Sequence, residues 1–162
     1  MLTTSDMLRN FYIGLLVIVA VGIVAVFFYR TETIPPFLQE RAGFGGVSLR
    51  LEYATTPEAR EQGLGGRTEI DEDYGMLFVF PRDGKHGFWM KDMLVPVDIF
   101  WLDSKGQVVF IARDVATSTH PNVFYPTEQA RYVLETASDF ARGHNIVTGT
   151  QLRLKNLPSV SQ

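Results

Sequence analysis

The hydrophobic positions of this chain change their spacing along its length, and each spacing predicts a different kind of element. The segment Phe11–Tyr29 holds nineteen consecutive residues without a charge, which as a helix would extend about 28 Å and match a hydrocarbon core of ~30 Å. Tyr12 and Tyr29 lie near its ends, where amphipathic rings suit the headgroup level. The pattern predicts a transmembrane anchor helix over residues 11–29, with the lipid bilayer as its partner.

The alternative for this segment is a cleaved secretory signal, but the small-x-small site Ala20-Val21-Gly22 lies inside the apolar run rather than after it. The anchor is preceded by a tail over residues 1–10 and followed by a tether over residues 30–46, which Pro35-Pro36 stiffens. A short tail before a lone helix is typical of a signal anchor. We therefore expect the following domain on the extracytoplasmic (periplasmic or outer) face of the membrane.

Beyond the tether the apolar positions alternate, as in half-buried strands. From Val47 to Tyr53, every second residue is apolar. The sequence Thr55-Thr56-Pro57-Glu58 then predicts a helix start, because it supplies a hydroxyl cap and a proline for the first turn, and Gly63 predicts the end of that helix.

The rest of the chain reads as short strands joined by turns. Strands are predicted over residues 76–80, 88–90, 97–102, 108–112, 132–136 and 151–154, with a long loop over 114–130 and a helical turn over 139–144. About six or seven short strands with one or two short helices predict a β-rich α+β fold. We expect a single compact barrel-like domain over residues 47–157, followed by a tail over residues 158–162.

The amino-acid composition argues against several classes of function. Fifteen Lys and Arg face eighteen Asp and Glu, for a net charge of −3, and the two signs are interspersed rather than gathered in a basic stripe, so a nucleic-acid partner is not expected. The absence of cysteine excludes disulfides, thiolate metal sites and a cysteine nucleophile. The three histidines do not share a helix or strand face and no phosphate-binding or nucleophile motif occurs, so no metal and no cofactor is predicted.

Four charged residues lie within apolar or glycine-rich segments, where a charge is costly unless it is paired. They are Arg67, Lys91, Asp98 and Glu135. In one interpretation Asp98 and Glu135 form an acid–base or sugar-binding pair, with Arg67 or Lys91 holding an anion. In the other, the two cations neutralise the two carboxylates inside the fold.

A second candidate site is an aromatic surface made of Trp89, Trp101, Phe124 and Tyr125. Trp and Tyr in a cleft can stack on a sugar ring or a peptide while their polar tips fix its orientation. The alternative is that these rings belong to the core, as aromatic residues in strands usually do.

Four sequence blocks together resemble a known family. GLGGR (63–67), YGMLFVFP (74–81), FWMKDMLVPVDIFWLD (88–103) and YVLET (132–136) are similar in order and spacing to the Domain of Unknown Function 192 family, over roughly residues 47 to 155. The resemblance implies a compact β-rich fold that is often exported or membrane-anchored. It implies no established activity, and its recurrent polar positions are the same four charged residues.

The sequence thus favours a membrane-anchored protein whose extracytoplasmic domain binds an envelope ligand or protein partner without catalysis. One alternative is a hydrolase or lyase that acts on an envelope polymer through Asp98 and Glu135. For a glycosidic bond, this alternative requires the two carboxyl groups to lie about 5 to 10 Å apart in one cleft. The other alternative is an assembly factor for a membrane complex.

Overall fold

The structure is a computed structural model that describes residues 40–160. The predicted anchor over residues 11–29 and the tail over 1–10 lie outside the described residues, as does most of the tether. Within residues 40–160, no helix combines the length and the apolar character that a membrane crossing requires.

The described chain is mostly β-structure. Its strands are β1 (Arg41–Phe44), β2 (Val47–Ala54), β3 (Tyr74–Gly84), β4 (Phe88–Trp89), β5 (Val97–Leu102), β6 (Val108–Val115), β7 (Val123–Phe124) and β8 (Ala130–Ala137). Two short helices, α1 (Pro57–Gln62) and α2 (Phe140–Gly143), and a 3₁₀ turn at Thr117–Thr119 complete the elements. The predicted β-rich fold is confirmed, and the bounds predicted for β5 are those observed.

The strands form an open six-stranded sheet and a separate two-stranded ribbon. The order in the large sheet is β1-β2-β3-β8-β5-β6, in which β2 and β3 are parallel and the other neighbours antiparallel, while β4 pairs with β7. The expectation of a barrel-like domain is therefore wrong, because the large sheet does not close. Residues predicted as a last strand over 151–154 make only isolated bridges, Gly43 to Arg153 and Gln107 to Gln151, beside the two edges of the sheet.

The tether prediction also needs correction, because Arg41–Phe44 is a strand of the domain. Ala42 and Phe44 are each only 1% exposed, and β1 pairs with β2 across the turn Gly45-Gly46. Both glycines have positive φ, 60° and 87°, which glycine adopts without steric cost. Gly45 and Gly46, which lie within the predicted tether, therefore close a hairpin of the domain.

Both faces of the large sheet are apolar, and each is covered. One face carries a core cluster that includes Leu77, Phe100 and Leu134, together with α2 residues and the C-terminal segment. The opposite face carries a second cluster that includes Phe78, Val133 and residues of the segment around β4. Because consecutive strand residues point to opposite faces, a shift of one position in the sequence moves a side chain from one cluster to the other.

Helix α1 follows its sequence signals closely. The Thr56 hydroxyl accepts a hydrogen bond from the Ala59 amide at 3.2 Å, Pro57 occupies the first turn, and the C-cap is Gly63 at φ 50°. The predicted helix is confirmed. Its second turn brings Arg60 and Glu61 to the same pocket as Glu135 of β8.

Candidate functional site

A pocket of about 320 Å³ lies on the second face of the sheet, between α1, β3, the segment around β4 and β8. We call it the Glu135 pocket. Its lining has a charged part, Arg60, Glu61, Lys91 and Glu135, and an aromatic part, Phe78, Phe80, Phe88 and Trp89. This size is at the lower end of the range for small-molecule sites, which combine apolar walls with a few polar groups.

Glu135 has a buried carboxyl group with no partner in the part of the chain that the structure describes. It is only 4% exposed, and its cross-strand neighbours are Met76 on β3 and Ile99 on β5, which offer no polar atoms to it from their side chains. No residue among 40–160 donates a hydrogen bond to its side chain. Within residues 40–160, every side-chain oxygen or nitrogen that is completely shielded from solvent has a hydrogen-bonding partner. Because the Glu135 carboxyl oxygens have none, they are not completely shielded and are accessible from the pocket.

The surroundings of Glu135 keep it neutral. Burial raises the pKa of the Glu135 carboxyl to about 8, because moving the ionised form out of water is unfavourable. At pH 7 the group is therefore mostly protonated. It presents one O–H donor and one carbonyl acceptor to the pocket.

Arg60 is positioned from α1 by backbone carbonyls. Its Nη1 donates to the Thr55 carbonyl at 2.7 Å and to the Val79 carbonyl at 2.9 Å, and its guanidinium carbon lies 5.2 Å from the centre of the Phe80 ring. Nε and Nη2 have no acceptor within the described residues. A guanidinium held in this way keeps donors that can take a planar anion such as a carboxylate.

Lys91 and Glu61 form an ion pair at the solvent side of the pocket. Lys91 Nζ lies 3.0 Å from Glu61 Oε1, with the two side chains 45% and 60% exposed, and 5.9 Å from the centre of the Trp89 ring. The hydrogen bond to Glu61 raises the pKa of Lys91. A pair this exposed adds little to stability, so both groups can exchange partners at little cost when a ligand enters.

Asp98 lies on the opposite face of the sheet from Glu135. Its two carboxylate oxygens accept hydrogen bonds from the backbone amides of Asp114 and Ala141, each at 2.7 Å. Asp98 thereby ties β5 to the end of β6 and the start of α2. The two carboxyl groups do not share a cleft, so the acid–base pair considered from the sequence is not formed.

Arg67 lies outside the Glu135 pocket and forms an ion pair with Glu52, which was not among the residues predicted from the sequence. Its Nη2 donates to Glu52 Oε2 and its Nη1 to the Tyr74 hydroxyl, both at 2.9 Å, and that hydroxyl donates to the same Glu52 oxygen at 2.6 Å. Burial alone would raise the pKa of Glu52, but these two hydrogen bonds outweigh it and the pKa is lowered. The interpretation in which Arg67 and Lys91 neutralise Asp98 and Glu135 is therefore wrong, since these cations pair with Glu52 and Glu61 instead.

Comparison with known proteins places the chain in a family. The family model DUF192, described as Uncharacterized ACR, COG1430, matches residues 40–154. The chain belongs to the DUF192 family. A comparison of this DUF192 chain with curated proteins gave no match.

Two solved structures share the fold of this DUF192 domain. One is a protein from Sinorhizobium meliloti 1021, provisionally described as a transcription regulator, with 28% identity over 73% of this chain and 95% of its own, at a TM-score of 0.69. The other, from Novosphingobium aromaticivorans DSM 12444, is a protein of unknown function, with 25% identity over 70% of this chain and 81% of its own, at a TM-score of 0.63.

The aromatic surface predicted from the sequence is divided in the DUF192 domain. Trp101 is fully buried and its Nε1 donates to the His86 carbonyl at 2.7 Å, so it belongs to the core and its assignment to a surface is wrong. Phe124 is half-buried in the ribbon opposite Phe88. Trp89 and Tyr125 are 43% and 59% exposed, and of the four predicted aromatics only Trp89 lines the Glu135 pocket.

Of the four charged candidates, the fold thus brings Lys91 and Glu135 to one pocket and keeps Arg67 and Asp98 away from it. Three further residues that line the pocket of the DUF192 domain were not predicted from the sequence: Arg60, Glu61 and Phe80. A signal for the first two was present, since both follow the recognised helix start at Thr56-Pro57. The face that this helix turns toward the sheet could not be inferred, because all of its residues are polar or small.

Proposed function

We propose that this protein is a single-pass, membrane-anchored binding protein whose extracytoplasmic DUF192 domain holds a small envelope ligand in the Glu135 pocket without catalysis. The anchor rests on the uncharged run Phe11–Tyr29. The binding role rests on one observation: a carboxyl group that is 4% exposed has no hydrogen-bonding partner within residues 40–160 and remains accessible from the pocket.

Such a carboxyl group is difficult to explain by folding alone. Burying a polar group without a hydrogen bond costs free energy, and the neighbours Met76 and Ile99 would pack equally well against an apolar side chain of similar volume. Residues kept at the expense of stability are commonly found at binding and active sites. A ligand that hydrogen-bonds to Glu135 would satisfy the group and account for its presence.

Binding is favoured over the hydrolase or lyase considered from the sequence. That reaction would need a second carboxyl group in the same cleft, and Asp98 lies on the other face of the sheet with both oxygens occupied by backbone amides. The other acid lining the pocket is Glu61, which forms an ion pair with Lys91. The pocket therefore lacks the Asp98–Glu135 pair on which the hydrolase or lyase interpretation rests.

The binding role is tested by asking what the protein carries from its own membranes. Full-length wild-type chain, Glu135→Leu and the control Arg131→Lys are purified in mild detergent, and bound small molecules are extracted and compared by mass spectrometry. Arg131 pairs with Asp83, away from the pocket. A compound carried by the wild type and the control but depleted at least tenfold in Glu135→Leu supports the proposal; identical extracts, or a measured turnover, contradict it.

The membrane topology is tested separately. Full-length chain should sediment with membranes and resist extraction by carbonate, whereas a chain that begins at residue 40 should not. Protease added to the extracytoplasmic side of sealed vesicles should digest the domain. Digestion only after the cytoplasmic side is exposed would contradict the orientation, and a stoichiometric protein partner recovered in detergent would favour an assembly role instead.

A further inference from the structure

We propose that the ligand of the Glu135 pocket is a small organic acid whose anionic group binds Arg60 and whose neutral hydroxyl or carbonyl group binds the Glu135 carboxyl. This inference rests on the proposed binding function and names the chemical class of the ligand. Arg60, Lys91, Glu135, Phe80, Phe88 and Trp89 carry it.

The charges of the pocket favour an anion. Arg60 and Lys91 contribute two positive charges and Glu61 one negative charge, while Glu135 is protonated at neutral pH. The lining therefore has one positive charge in excess. A ligand cation would meet Arg60 and Lys91 in the same space, and repulsion between like charges would oppose its entry.

The arrangement of the donors favours a carboxylate at Arg60. Nη1 is occupied by the carbonyls of Thr55 and Val79, so the guanidinium is held in place before a ligand arrives. Its remaining donors, on Nε and Nη2, project from one edge of the planar group. Two parallel hydrogen bonds from such an edge match the two oxygens of a carboxylate.

The Glu135 carboxyl group binds the end of the ligand opposite to its anionic group. Glu135 is opposite Met76 on β3, whereas Arg60 is held by the carbonyl of Val79, three residues further along the same strand, which corresponds to about 10 Å. The guanidinium and the neutral acid therefore act at separate parts of the pocket. A hydroxyl or carbonyl group of the ligand can satisfy Glu135 without placing a second charge in the buried part of the pocket, where a charge would be costly.

The aromatic residues set the shape of the ligand between these ends. Phe88 is 8% exposed and Trp89 is 43% exposed. The pocket is therefore lined by one buried aromatic ring and by one that is accessible to solvent. Flat or cyclic ligand bodies make favourable contacts with such rings. The expected ligand is therefore a compact cyclic or unsaturated acid that also carries a hydroxyl or carbonyl group.

The class of ligand is tested with matched probes. The set contains 4-hydroxybenzoate and related hydroxy- and keto-substituted cyclic carboxylates, the primary amines with the same ring bodies, and the corresponding neutral amides. Binding to full-length chain in detergent is measured by saturation-transfer NMR, and the signal from empty micelles is subtracted. We expect the carboxylates to bind at least tenfold more tightly than their amine and amide counterparts.

Variants connect that preference to the proposed contacts. Arg60→Lys keeps a positive charge and a donor for the Thr55 and Val79 carbonyls. It lacks the two parallel N–H donors of the guanidinium, so it should weaken carboxylate binding about tenfold. Glu135→Gln keeps a donor and an acceptor and should retain binding at pH 7, whereas Glu135→Leu should lose it. Arg131→Lys, outside the pocket, should bind as the wild type does.

The pH dependence adds an independent readout. Deprotonation of Glu135 removes its O–H donor and places a negative charge beside the ligand, so carboxylate affinity should fall about tenfold per pH unit above pH 8 in the wild type. The same affinity should stay flat in Glu135→Gln. The other charged groups of the pocket, Arg60 and Glu61 on α1 and Lys91 after β4, are the same in both proteins.

The outcomes separate the two proposals. Preferential binding of carboxylates that depends on Arg60 and Glu135 supports both. Preferential binding of amines or amides that is lost in Glu135→Leu overturns the organic-acid inference and leaves the binding function standing. Absence of binding by every probe class at millimolar concentration, in folded wild-type protein, overturns both.

Discussion

Two buried carboxyl groups on neighbouring strands have opposite roles in this molecule. Asp98 of β5 has both oxygens hydrogen-bonded to backbone amides, whereas Glu135 of β8 has no hydrogen-bonding partner among residues 40–160. The two residues are one register position apart, since Asp98 is opposite Thr136 and Ile99 is opposite Glu135. Because side chains alternate between the two faces of a sheet, the Asp98 carboxylate lies at a structural position on one face and the Glu135 carboxyl group lies in the pocket on the other.

The pH dependence of stability should report the buried Glu135. Its pKa is about 8 when folded against 4.5 as the ordinary value, so between these values the folded state holds a proton that the unfolded state releases. Stability should therefore fall as pH rises from about 4.5 to 8, by about 4 kcal/mol from this group. Denaturant unfolding of residues 40–162 should show this slope in the wild type.

Glu135→Gln is the matched variant for that measurement, because it cannot ionise. Its free energy of unfolding should be nearly independent of pH from 6 to 8.5, apart from contributions it shares with the wild type. An equal slope in the two proteins would show that Glu135 does not titrate as a buried acid.

Asp98 should behave as a structural residue. In Asp98→Asn one of the two acceptors becomes an amide donor that faces a backbone N–H, so we expect a loss of about 3 kcal/mol in the free energy of unfolding. Ligand binding in the Glu135 pocket should be unchanged under conditions where the variant is folded. Glu128→Gln, at an exposed position, is the control; a loss for Asp98→Asn below about 0.5 kcal/mol would contradict the assignment.

Helix α1 is predicted by local sequence signals and carries two residues that line the Glu135 pocket. The Thr56 hydroxyl caps the helix that carries Arg60 and Glu61, so its removal should loosen both residues. Thr56→Ala should lower the free energy of unfolding by about 1 kcal/mol and weaken binding in the pocket. Thr55→Ala is the matched control, since Arg60 uses the Thr55 carbonyl, which alanine retains; equal losses in the two variants would contradict capping by Thr56.

The elements that the sequence could predict are those with local causes. The cap and proline of α1, the alternation of β2 and the apolar run of β5 each appear within a few residues, and their positions were predicted to within about two residues. Strand β1 was missed, because only its pairing with β2 across two glycines identifies it as a strand. The last strand predicted over 151–154 forms only isolated bridges, one of which joins Arg153 to the distant Gly43.

The site could be predicted only in part for the same reason. Glu135 and Lys91 were identified because a charge beside apolar residues is conspicuous in a sequence. Their neighbours were not, since the register of β8 with β3 and β5 decides that Met76 and Ile99, rather than a cation, flank Glu135. Trp101 was misassigned because burial of an aromatic ring depends on which sheet face it occupies.

On the scale of the whole domain, the C-terminal segment closes one face of an open sheet. Leu152 is 1% exposed and belongs to the first core cluster, against which Leu154 and Leu157 also pack. The backbone of Arg153 exchanges two hydrogen bonds with Gly43 of β1, each at 2.8 Å. This segment therefore covers a core that the six strands alone leave open.

Truncation tests this role. A chain that begins at residue 40 and ends at residue 149 lacks the covering leucines and should fail to fold cooperatively, since exposing one buried leucine alone costs about 2 to 3 kcal/mol. A chain that ends at residue 160 should melt as the longer domain does. Equal melting temperatures for the two truncations would contradict the account of the C-terminal segment. Residues 40–162 are a suitable parent, because the crystallised relative from Sinorhizobium meliloti consists almost entirely of the matching part.

If Glu135 is retained for a ligand and not for folding, replacing it with leucine should not destabilise the domain, and the free energy of unfolding of Glu135→Leu at pH 8 measures this effect. Leucine has a similar volume and would pack against Met76 and Ile99 without the cost of a buried polar group. We expect the variant to be at least as stable as the wild type, with a gain of about 1 to 4 kcal/mol. A loss of more than about 2 kcal/mol would show instead that the Glu135 carboxyl group is retained because it supports the fold.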